Sequence, residues 1–270
     1  AMLKARTDLL WFGGIGTYIK SSKETHSDVG DKANDAIRIN GEECKAKVIG
    51  EGANLGVTQL GRVEFAEKGG MINTDFIDNS GGVDSSDHEV NIKILLSDIM
   101  RKKTSKMDLK SRNKLLESMT DDVAKLVLRS NYQQAQAISL IEYNARENLQ
   151  IHDDFIQDME REQGLSRKIE GLPDQEVVES RLRANKGLTR PELSVLLSYA
   201  KISFTKKLLA SDIPDSNEMD EWLVQYFPEA LRKKYHDEIY GHKLKREIIA
   251  TTMSNSLVNR MGPTFIKTRM

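Results

Sequence analysis

The stretch AKVIGEGANLGVT, residues 46–58, decides the fold that the sequence predicts. Ala46–Ile49 is a short, largely apolar run that predicts a buried strand ending at Gly50. Two more glycines follow before residue 57. Because glycine concentrates where a backbone turns tightly or approaches a ligand, this pattern indicates a strand that leads into a functional turn.

The sequence on both sides of this strand repeats the pattern. Leu9–Phe12 predicts an earlier buried strand that ends at Gly13 and Gly14. Helices are expected over Ser27–Arg38 and Gln59–Lys68, although part of the second stretch alternates and also fits a strand. Strand, helix, strand, helix is the order of a doubly wound α/β unit. Thirteen of the 18 glycines lie before residue 90, so we expect this unit in the first third of the chain.

After residue 90 the apolar residues recur at helical spacing. Two long stripes cover Leu115–Val127 and Ile138–Met159. The sequence TRPE at 189–192 is a capping box with proline in the first helical turn, and a last stripe from Leu244 stops at Gly262–Pro263. The sequence therefore predicts a mostly α-helical domain built from several antiparallel helices.

Composition excludes several classes of protein. The formal net charge is −1, and no apolar run reaches the length of a membrane span, so we expect neither a nucleic-acid nor a membrane partner. Cys44 is the single cysteine, which excludes an internal disulfide and a cysteine-cluster zinc site. No serine lies in a G-x-S-x-G turn, and no histidine pair has metal-ligand spacing. His152 lies on an apolar stripe and is expected to be a core residue.

Residues 50–56, GEGANLG, nearly match the dinucleotide fingerprint G-x-G-x-x-G. The third glycine falls one residue late, and no acidic residue follows a strand at the expected distance. Two interpretations stay open for this segment alone, a phosphate cradle and a tight turn at a strand exit. The turn is favoured.

The stretch INTDFIDNSGGVDSSDHEVNIKILL, residues 72–96, gathers acidic residues around two glycines. It lacks the ligand order of a calcium loop, so a metal site is disfavoured. A helix cap is favoured, with Ser85, Ser86 or Asp87 capping a helix that begins near His88. Capping does not explain Asn79 and the glycines upstream. Free amides at a helix start can also hold a carboxylate ligand, which leaves a binding role open.

Together, AKVIGEGANLGVT and TDFIDNSGGVDSSDHE (74–89) resemble the glutamate dehydrogenase family, whose coenzyme domain ends with an EGAN turn and a PD…N-x-GGV…S…E segment. The blocks DLLWFGGIGTYIK (8–20), GLTRPELSVLLSYAK (187–201) and NRMGPTF (259–265) are more narrowly similar to the large bacterial NAD-specific members. The resemblance implies that residues 1–95 are the α/β closing part of a Rossmann-like coenzyme domain. Residues 96–270 are then a mostly α-helical C-terminal domain, and the chain is helix-dominated overall.

The resemblance also implies which residues bind the cofactor, NAD. Asn54 of the EGAN segment is expected near the nicotinamide ribose, and Asn79 at the junction between nicotinamide and substrate. The backbone at Gly13 and Gly14 is expected near the cofactor as well.

For the substrate side, the resemblance implies two residues. Val83 is expected to line the pocket, and Ser86 to donate a hydrogen bond to the side-chain carboxylate of L-glutamate or 2-oxoglutarate. The sequence departs from the family at Gly56–Val57, where a proline-threonine pair is usual, and at His88 and Val90, where aromatic residues are usual. These departures concern the local shape of the loops.

The implied reaction is the oxidative deamination of L-glutamate by NAD and water to 2-oxoglutarate, ammonia and NADH, a step of amino-acid catabolism. The family's substrate lysine, catalytic lysine and catalytic aspartate find no match here, so we expect no catalytic residue and no metal in this chain. We expect a C-terminal fragment, inactive alone, whose partners are the N-terminal remainder of the same chain and further copies in a cytoplasmic homo-oligomer. Two alternatives stay open: a helical oligomerisation or regulatory module, and another amino-acid dehydrogenase of the superfamily.

Overall fold

A computed structural model describes residues 2–104 and 106–268 as a mostly helical chain with two small parallel sheets. The strands are short and all lie in the first third of the chain. They are β1 (Thr7–Phe12), β2 (Ile19–Lys20), β3 (Ile39–Asn40), β4 (Ala46–Glu51) and β5 (Met71–Ile72).

The larger sheet has the strand order β1-β4-β5, and the smaller one pairs β2 with β3. Every pairing is parallel, with Phe12 opposite Glu51 in the larger sheet and Ile19 opposite Ile39 in the smaller. Since parallel strands need crossover connections, each pair is joined through a helical or looped segment. Both predicted strands exist, at Thr7–Phe12 and Ala46–Glu51.

Fifteen α-helices lie in the described residues, together with short 3₁₀ turns. They are α1 (His26–Val29), α2 (Gln59–Glu67), α3 (Asp75–Asp78), α4 (Ser80–Arg101), α5 (Leu109–Ser118), α6 (Thr120–Tyr143), α7 (Leu149–Gln163), α8 (Arg167–Glu170), α9 (Gln175–Arg183), α10 (Arg190–Leu209), α11 (Asp220–Tyr226), α12 (Glu229–Lys234), α13 (His236–Tyr240), α14 (Lys245–Met261) and α15 (Phe265–Thr268). The prediction of a helix-dominated chain with a small parallel sheet is confirmed.

A compact apolar core supports the sheets. Ile49 of β4 and Ile72 of β5 are each 2% exposed, and Ile19 of β2 is fully buried. Phe65 of α2 packs in the same cluster. The burial of each such side chain away from water contributes about 1.5–3 kcal/mol to the stability of the fold. This core therefore stabilises the positions of the strands.

β1 differs from the predicted buried strand. It lies at the edge of the sheet, where Leu9 is 54% exposed and Trp11 is 58% exposed, and Phe12 is the buried residue at its end. The Trp11 indole approaches the backbone of Gly50 and Gly52 so closely that a Cβ at either glycine would lie within 2.6 Å of the ring. These two glycines therefore allow the indole to cover the start of the turn.

Two helix predictions near the sheets are wrong. Ser27–Arg38 does not form one helix, because α1 ends after a single turn at Gly30, whose φ of +76° is left-handed. The helix expected to begin near His88 begins at Ser80, with Gly81 and Gly82 inside its first turn. Ser86 is therefore an interior helical residue, and it caps nothing.

The later helix ends agree better with the sequence. α10 begins at Arg190, and Glu192 accepts hydrogen bonds from the backbone and the hydroxyl of Thr189 at 2.6 and 2.7 Å. α14 ends at Met261, followed by Gly262 with a left-handed φ of +82°. The two predicted long stripes are each divided between two helices, since the chain breaks at Met119 and again between α6 and α7.

The contacts group the chain into two compact units. The first comprises the residues up to Ser80, Gln133–Ala200 and those from Met261 onward, and it contains both sheets. The second comprises Gly81–Tyr132 and Lys201–Arg260 and is helical. The predicted domain boundary near residue 95 stays a prediction.

In the part of the chain that the structure describes, none of the helices has the length and the apolar character needed to cross a bilayer.

Candidate functional site

The carboxyl ends of β1 and β4 form one edge of the larger sheet. The two strands are paired up to Phe12 and Glu51, and the amide of Ala53 donates to the carbonyl of Phe12 at 2.9 Å. The loop that starts at Gly13 and the turn of residues 51–57, called the EGAN turn below, therefore leave the sheet side by side. Ligands of parallel α/β sheets bind at such an edge.

A buried ionic cluster of Glu51, Arg62 and Asp75 fixes the base of the EGAN turn. Arg62 of α2 donates two hydrogen bonds to Glu51, from Nε at 2.7 Å and from Nη2 at 2.9 Å. Its Nη2 also lies 3.2 Å from Oδ1 of Asp75. Burial opposes the Arg62 charge, but Glu51 and Asp75 outweigh it and raise the pKa of the guanidinium. The cluster is thus a satisfied ionic core beneath the turn.

The backbone of the EGAN turn is held at several points by side chains. Oε1 of Glu51 accepts the amide of Val57 at 3.0 Å, and Oδ2 of Asp75 accepts the amide of Leu55 at 2.7 Å. The carbonyl of Leu55 accepts a hydrogen bond from the Thr17 hydroxyl at 2.7 Å. Leu55 has φ +58°, a left-handed conformation that non-glycine residues rarely adopt. The turn is therefore fixed in one conformation.

Asp78 ties the same turn to more distant helices. Its Oδ2 accepts the amide of Glu51 at 3.0 Å, and its Oδ1 accepts Nδ2 of Asn73 at 2.7 Å. Oδ1 of Asn73 in turn accepts Nε of Arg190 at 2.6 Å, and Arg190 is the first residue of α10. Burial raises the pKa of the Asp78 carboxyl, and its hydrogen bonds oppose that rise. This chain of contacts connects α10 to the end of β4.

Two asparagines lie next to these contacts, Asn54 within the EGAN turn and Asn79 directly after α3, and they are called the asparagine pair below. Nδ2 of Asn79 donates to Oδ1 of Asn54, so the two predicted cofactor residues are in direct contact. Asn79 caps the carboxyl end of α3, and its amide donates to the carbonyl of Asp75 at 2.8 Å. One donor and one acceptor are used within the pair. An amide NH₂ and an amide carbonyl stay available for a ligand.

A cleft of about 700 Å³ opens beside the loop after β1. Its walls include the backbone of Gly13 and Gly14 and the aromatic side chains of Trp11 and Tyr18. The volume lies in the range of small-molecule and cofactor sites. Gly13 and Gly14 are thus placed at a cavity.

In the second unit, α4 presents two different faces. Val83 and Ser86 are three residues apart on an exposed face, and Val83 is 74% exposed. On another face, the His88 ring stacks on Tyr226 at 4.4 Å, and the Tyr226 hydroxyl donates to Asp87 at 2.7 Å. Burial lowers the pKa of His88, and the negative charge of Asp84 opposes that fall. The His88 face packs the helix and leaves Val83 and Ser86 exposed.

Comparison with known proteins identifies the family. The family model described as bacterial NAD-glutamate dehydrogenase, catalytic domain, matches residues 1–141, slightly more than half of the chain. A second, described as glutamate dehydrogenase, C-terminal, matches residues 185–270. The chain belongs to the bacterial NAD-glutamate dehydrogenase family.

Three curated relatives, each called NAD-specific glutamate dehydrogenase, match nearly the entire chain. Those of Pseudomonas aeruginosa, Halomonas elongata and Mycobacterium tuberculosis are 54%, 50% and 48% identical over 99%, 100% and 98% of this chain. The matched part is 16%, 17% and 16% of the relatives' own lengths. The chain therefore spans about a sixth of the dehydrogenases that it resembles.

The structure brings together some of the predicted site residues. Asn54 and Asn79 touch, and Gly13 and Gly14 line a cleft of the same unit. Val83 and Ser86 belong to the second unit. The roles of these six residues toward cofactor and substrate stay predictions. In the described residues, no group of three or more His, Cys, Asp or Glu side chains is arranged to hold a metal ion.

The sequence does not single out the buried carboxylates that shape the candidate site. In the sequence, Glu51 belongs to the segment GEGANLG, and Asp75 and Asp78 belong to the acidic stretch of residues 72–96. A usable signal is the single arginine of α2, which stands between Leu60-Gly61 and Val63, because a buried Arg62 requires acidic partners. Which carboxylates it pairs with depends on the tertiary fold.

Proposed function

We propose that this chain supplies part of the NAD and glutamate site of a larger NAD-dependent glutamate dehydrogenase. The reaction is L-glutamate, NAD and water to 2-oxoglutarate, ammonia and NADH. The names of the relatives support NAD as cofactor and glutamate as substrate. The parallel sheet β1-β4-β5 supports a Rossmann-like coenzyme domain at residues 1–95, of which the sheet would be the closing part.

The observation that carries the proposal is the asparagine pair at the carboxyl edge of the sheet. A primary carboxamide offers one carbonyl acceptor and one NH₂ donor. The pair keeps one donor and one acceptor after its internal hydrogen bond, so it complements a carboxamide group. Nicotinamide carries such a group, and the residues present therefore fit the cofactor. Asn54 and Asn79 would hold the nicotinamide end of NAD.

The cleft beside Gly13 and Gly14 supports a contact with another part of the cofactor. Two consecutive residues without side chains let a ligand approach the backbone closely. A Cβ at Gly14 would meet no other atom within 4 Å, so this glycine faces open space. These features support the predicted backbone contact with NAD.

Val83 and Ser86 would contact the substrate. Their spacing places an apolar side chain and a hydroxyl on one face of α4 within one turn of each other. The hydroxyl can donate to the side-chain carboxylate of glutamate, and the Val83 side chain can pack against its methylene groups. This chemistry favours glutamate over an amino acid with an apolar side chain.

When bound, NAD accepts a hydride from the α-carbon of the amino acid. The residues of this chain bind and orient. The proton transfers that accompany deamination need a general acid and base, and we assign none of the described side chains to that role. The proposal places those groups in the remainder of the longer protein. A homo-oligomeric assembly and a cytoplasmic location stay predictions.

The proposal is tested by two alanine variants of the full-length dehydrogenase. Asn54→Ala should raise the KM for NAD about three- to tenfold, because one neutral hydrogen bond is lost, and leave the KM for glutamate nearly unchanged. Ser86→Ala should raise the KM for glutamate about 10- to 100-fold, because its partner is charged, with little effect on NAD. Steady-state kinetics with each substrate varied in turn measures both constants.

Each variant serves as the control for the other. Opposite selectivity is the expected outcome, since the two residues are assigned to different ligands. Equal losses for NAD and glutamate in both variants, or no loss in either, would contradict the proposal. Normal kinetics with a branched-chain amino acid in Ser86→Ala would instead favour another dehydrogenase of the superfamily.

A further inference from the structure

We propose that Asp75 is a positioning residue for the cofactor, and this inference rests on the proposed function. Its carboxylate holds Leu55 in the left-handed conformation and thereby fixes Asn54 and Asn79 as a pair. Asp75 itself does not touch NAD. It acts through the EGAN turn, whose residue Asn54 immediately precedes Leu55.

The backbone of Leu55 needs an external restraint. A leucine side chain disfavours a φ of +58°, because its Cβ approaches the neighbouring carbonyl oxygen. The Leu55 side chain is 61% exposed, so packing of that side chain provides little compensation. The restraint comes from the two hydrogen bonds of its peptide groups, the amide to Asp75 at 2.7 Å and the carbonyl from Thr17 at 2.7 Å.

Asp75 is itself held firmly. It is 8% exposed, and its Oδ1 lies 3.2 Å from Nη2 of Arg62 and accepts the amide of Phe76 at 2.9 Å. Arg62 is fixed in turn by its two hydrogen bonds to Glu51. With Oδ1 engaged in this way, Oδ2 is left to point at the Leu55 amide. The direction of that hydrogen bond is therefore determined by the buried cluster.

Asp75 also positions the second member of the asparagine pair. Its carbonyl accepts the amide of Asn79 at 2.8 Å, because the two residues lie one turn apart in and after α3. The side chain of Asp75 thus controls the turn that carries Asn54, and its backbone controls the start of Asn79. Asp75 therefore positions the side-chain amides of Asn54 and Asn79 relative to each other.

The test is Asp75→Asn in the full-length dehydrogenase. An asparagine has one carbonyl oxygen, so its NH₂ group must face either the Leu55 amide or Arg62, and one contact is lost. The KM for NAD should rise about tenfold, as expected for the loss of one charge-assisted hydrogen bond. The KM for glutamate should change much less. Adding Leu55→Gly should restore most of the NAD affinity, since glycine adopts a φ of +58° without strain.

A second variant keeps the buried cluster intact. Leu55→Val leaves Asp75 and Arg62 in place but introduces a β-branched residue, which resists the left-handed conformation more strongly than leucine. Because the Leu55 side chain is exposed, we expect the variant to fold. Its KM for NAD should also rise, by about three- to tenfold.

The matched control is Asp153→Asn. Asp153 is a fully buried carboxylate of the same unit, and it accepts hydrogen bonds from Arg167 at 2.7 Å and from Gln157 at 2.8 Å. Its substitution also breaks a buried ion pair and lowers thermal stability. It should leave the KM for NAD unchanged, which separates positioning from a general loss of stability.

The outcomes distinguish this inference from the proposed function. If Asn54→Ala raises the KM for NAD but neither Asp75→Asn nor Leu55→Val does, the positioning role is overturned and the proposed function stands. If adding Leu55→Gly to Asp75→Asn fails to restore the affinity for NAD, the role of the left-handed conformation is overturned. If Asn54→Ala itself has no effect on NAD, the proposed function fails.

Discussion

Two deeply buried ionisable side chains, Glu51 and His152, differ in how their polar atoms are satisfied. Glu51 is 0% exposed and accepts three hydrogen bonds, two from Arg62 and one from the amide of Val57. His152 of α7 is 2% exposed, and its Nδ1 has no hydrogen-bond partner within residues 2–104 and 106–268. Burial raises the pKa of the Glu51 carboxyl, and the hydrogen bonds and charge of Arg62 oppose that rise. At His152 burial opposes the charged form.

This difference gives His152 a predictable effect on acid stability. Burial lowers the pKa of His152 from 6.5 to about 4. Below pH 6.5 the unfolded chain binds a proton that the folded chain does not, so the free energy of unfolding falls as the pH falls. The slope is at most about 1.4 kcal/mol per pH unit, and it ends near pH 4, where the folded state also binds the proton. His152→Phe should remove this component, as measured by urea unfolding across that range.

The control for this prediction is the exposed His236, whose side chain is 51% exposed. His236→Gln should leave the pH slope of the free energy of unfolding as it is in the unsubstituted chain. If His152→Phe keeps the full slope, another group is responsible for the acid sensitivity, and the neutral buried imidazole is the wrong explanation.

At the scale of single elements, α10 is stabilised at its first turn by one carboxylate. Glu192 caps Thr189 and also accepts Nη1 of Arg181 from α9 at 2.8 Å, in a site where its side chain is 1% exposed. Nη2 of Arg181 also donates a hydrogen bond to Oε1 of Glu67 at 3.1 Å. The capping box that the sequence shows is therefore also the centre of a buried ion pair that joins two helices.

Glu192→Gln should destabilise the chain by about 3 kcal/mol, because it leaves the Arg181 charge without its buried partner. Urea unfolding followed by far-ultraviolet circular dichroism measures the change. Glu179→Gln is the matched control in α9, since its pair with Arg183 is 3.8 Å long and its side chain is 57% exposed. That change should stay within about 0.5 kcal/mol. Similar losses in both variants would contradict the role given to Glu192.

Local sequence rules predicted some of these elements and failed on others for identifiable reasons. Gly30 was a visible stop signal inside the range 27–38, and its left-handed conformation does end α1. Gly81 and Gly82 favour a helix that begins only after them, near His88, because glycine disfavours a helix by about 1 kcal/mol. The structure nevertheless starts α4 at Ser80, with Gly81 close to Val127 of α6. Packing of this kind overrides propensity and cannot be derived from a local pattern.

The sequence singles out the two asparagines of the candidate site, but not the residues that hold them in place. The family resemblance places both Asn54 of the EGAN turn and Asn79 near the nicotinamide, and the side chains of these two residues are in contact. The restraints on the turn come from Arg62, Asp75 and Asp78, which are separated from it by up to 27 residues. Hydrogen bonds at such separations depend on how the strands and helices assemble. Periodicity and spacing contain no information about them.

At the scale of the whole chain, each compact unit is assembled from separated segments. The first unit combines the sheet region with Gln133–Ala200, and Arg190 shows how, since it reaches Asn73 beside the sheet and Glu142 of α6. Composition shifts once along the sequence, near residue 90, and so it suggests two consecutive domains. A unit that closes through later helices leaves no such mark in composition.

The whole chain is also the scale at which activity is decided. Under the proposed function the asparagine pair and Ser86 bind and orient ligands, but oxidative deamination also needs groups that transfer protons, and our proposal places those in the longer protein. The isolated 270-residue chain should therefore show no NADH formation with glutamate and NAD above a blank without protein. The full-length dehydrogenase, assayed by NADH absorbance under the same conditions, is the positive control. Turnover by the isolated chain at a rate close to that control would contradict the proposal that the proton-transferring groups lie in the longer protein.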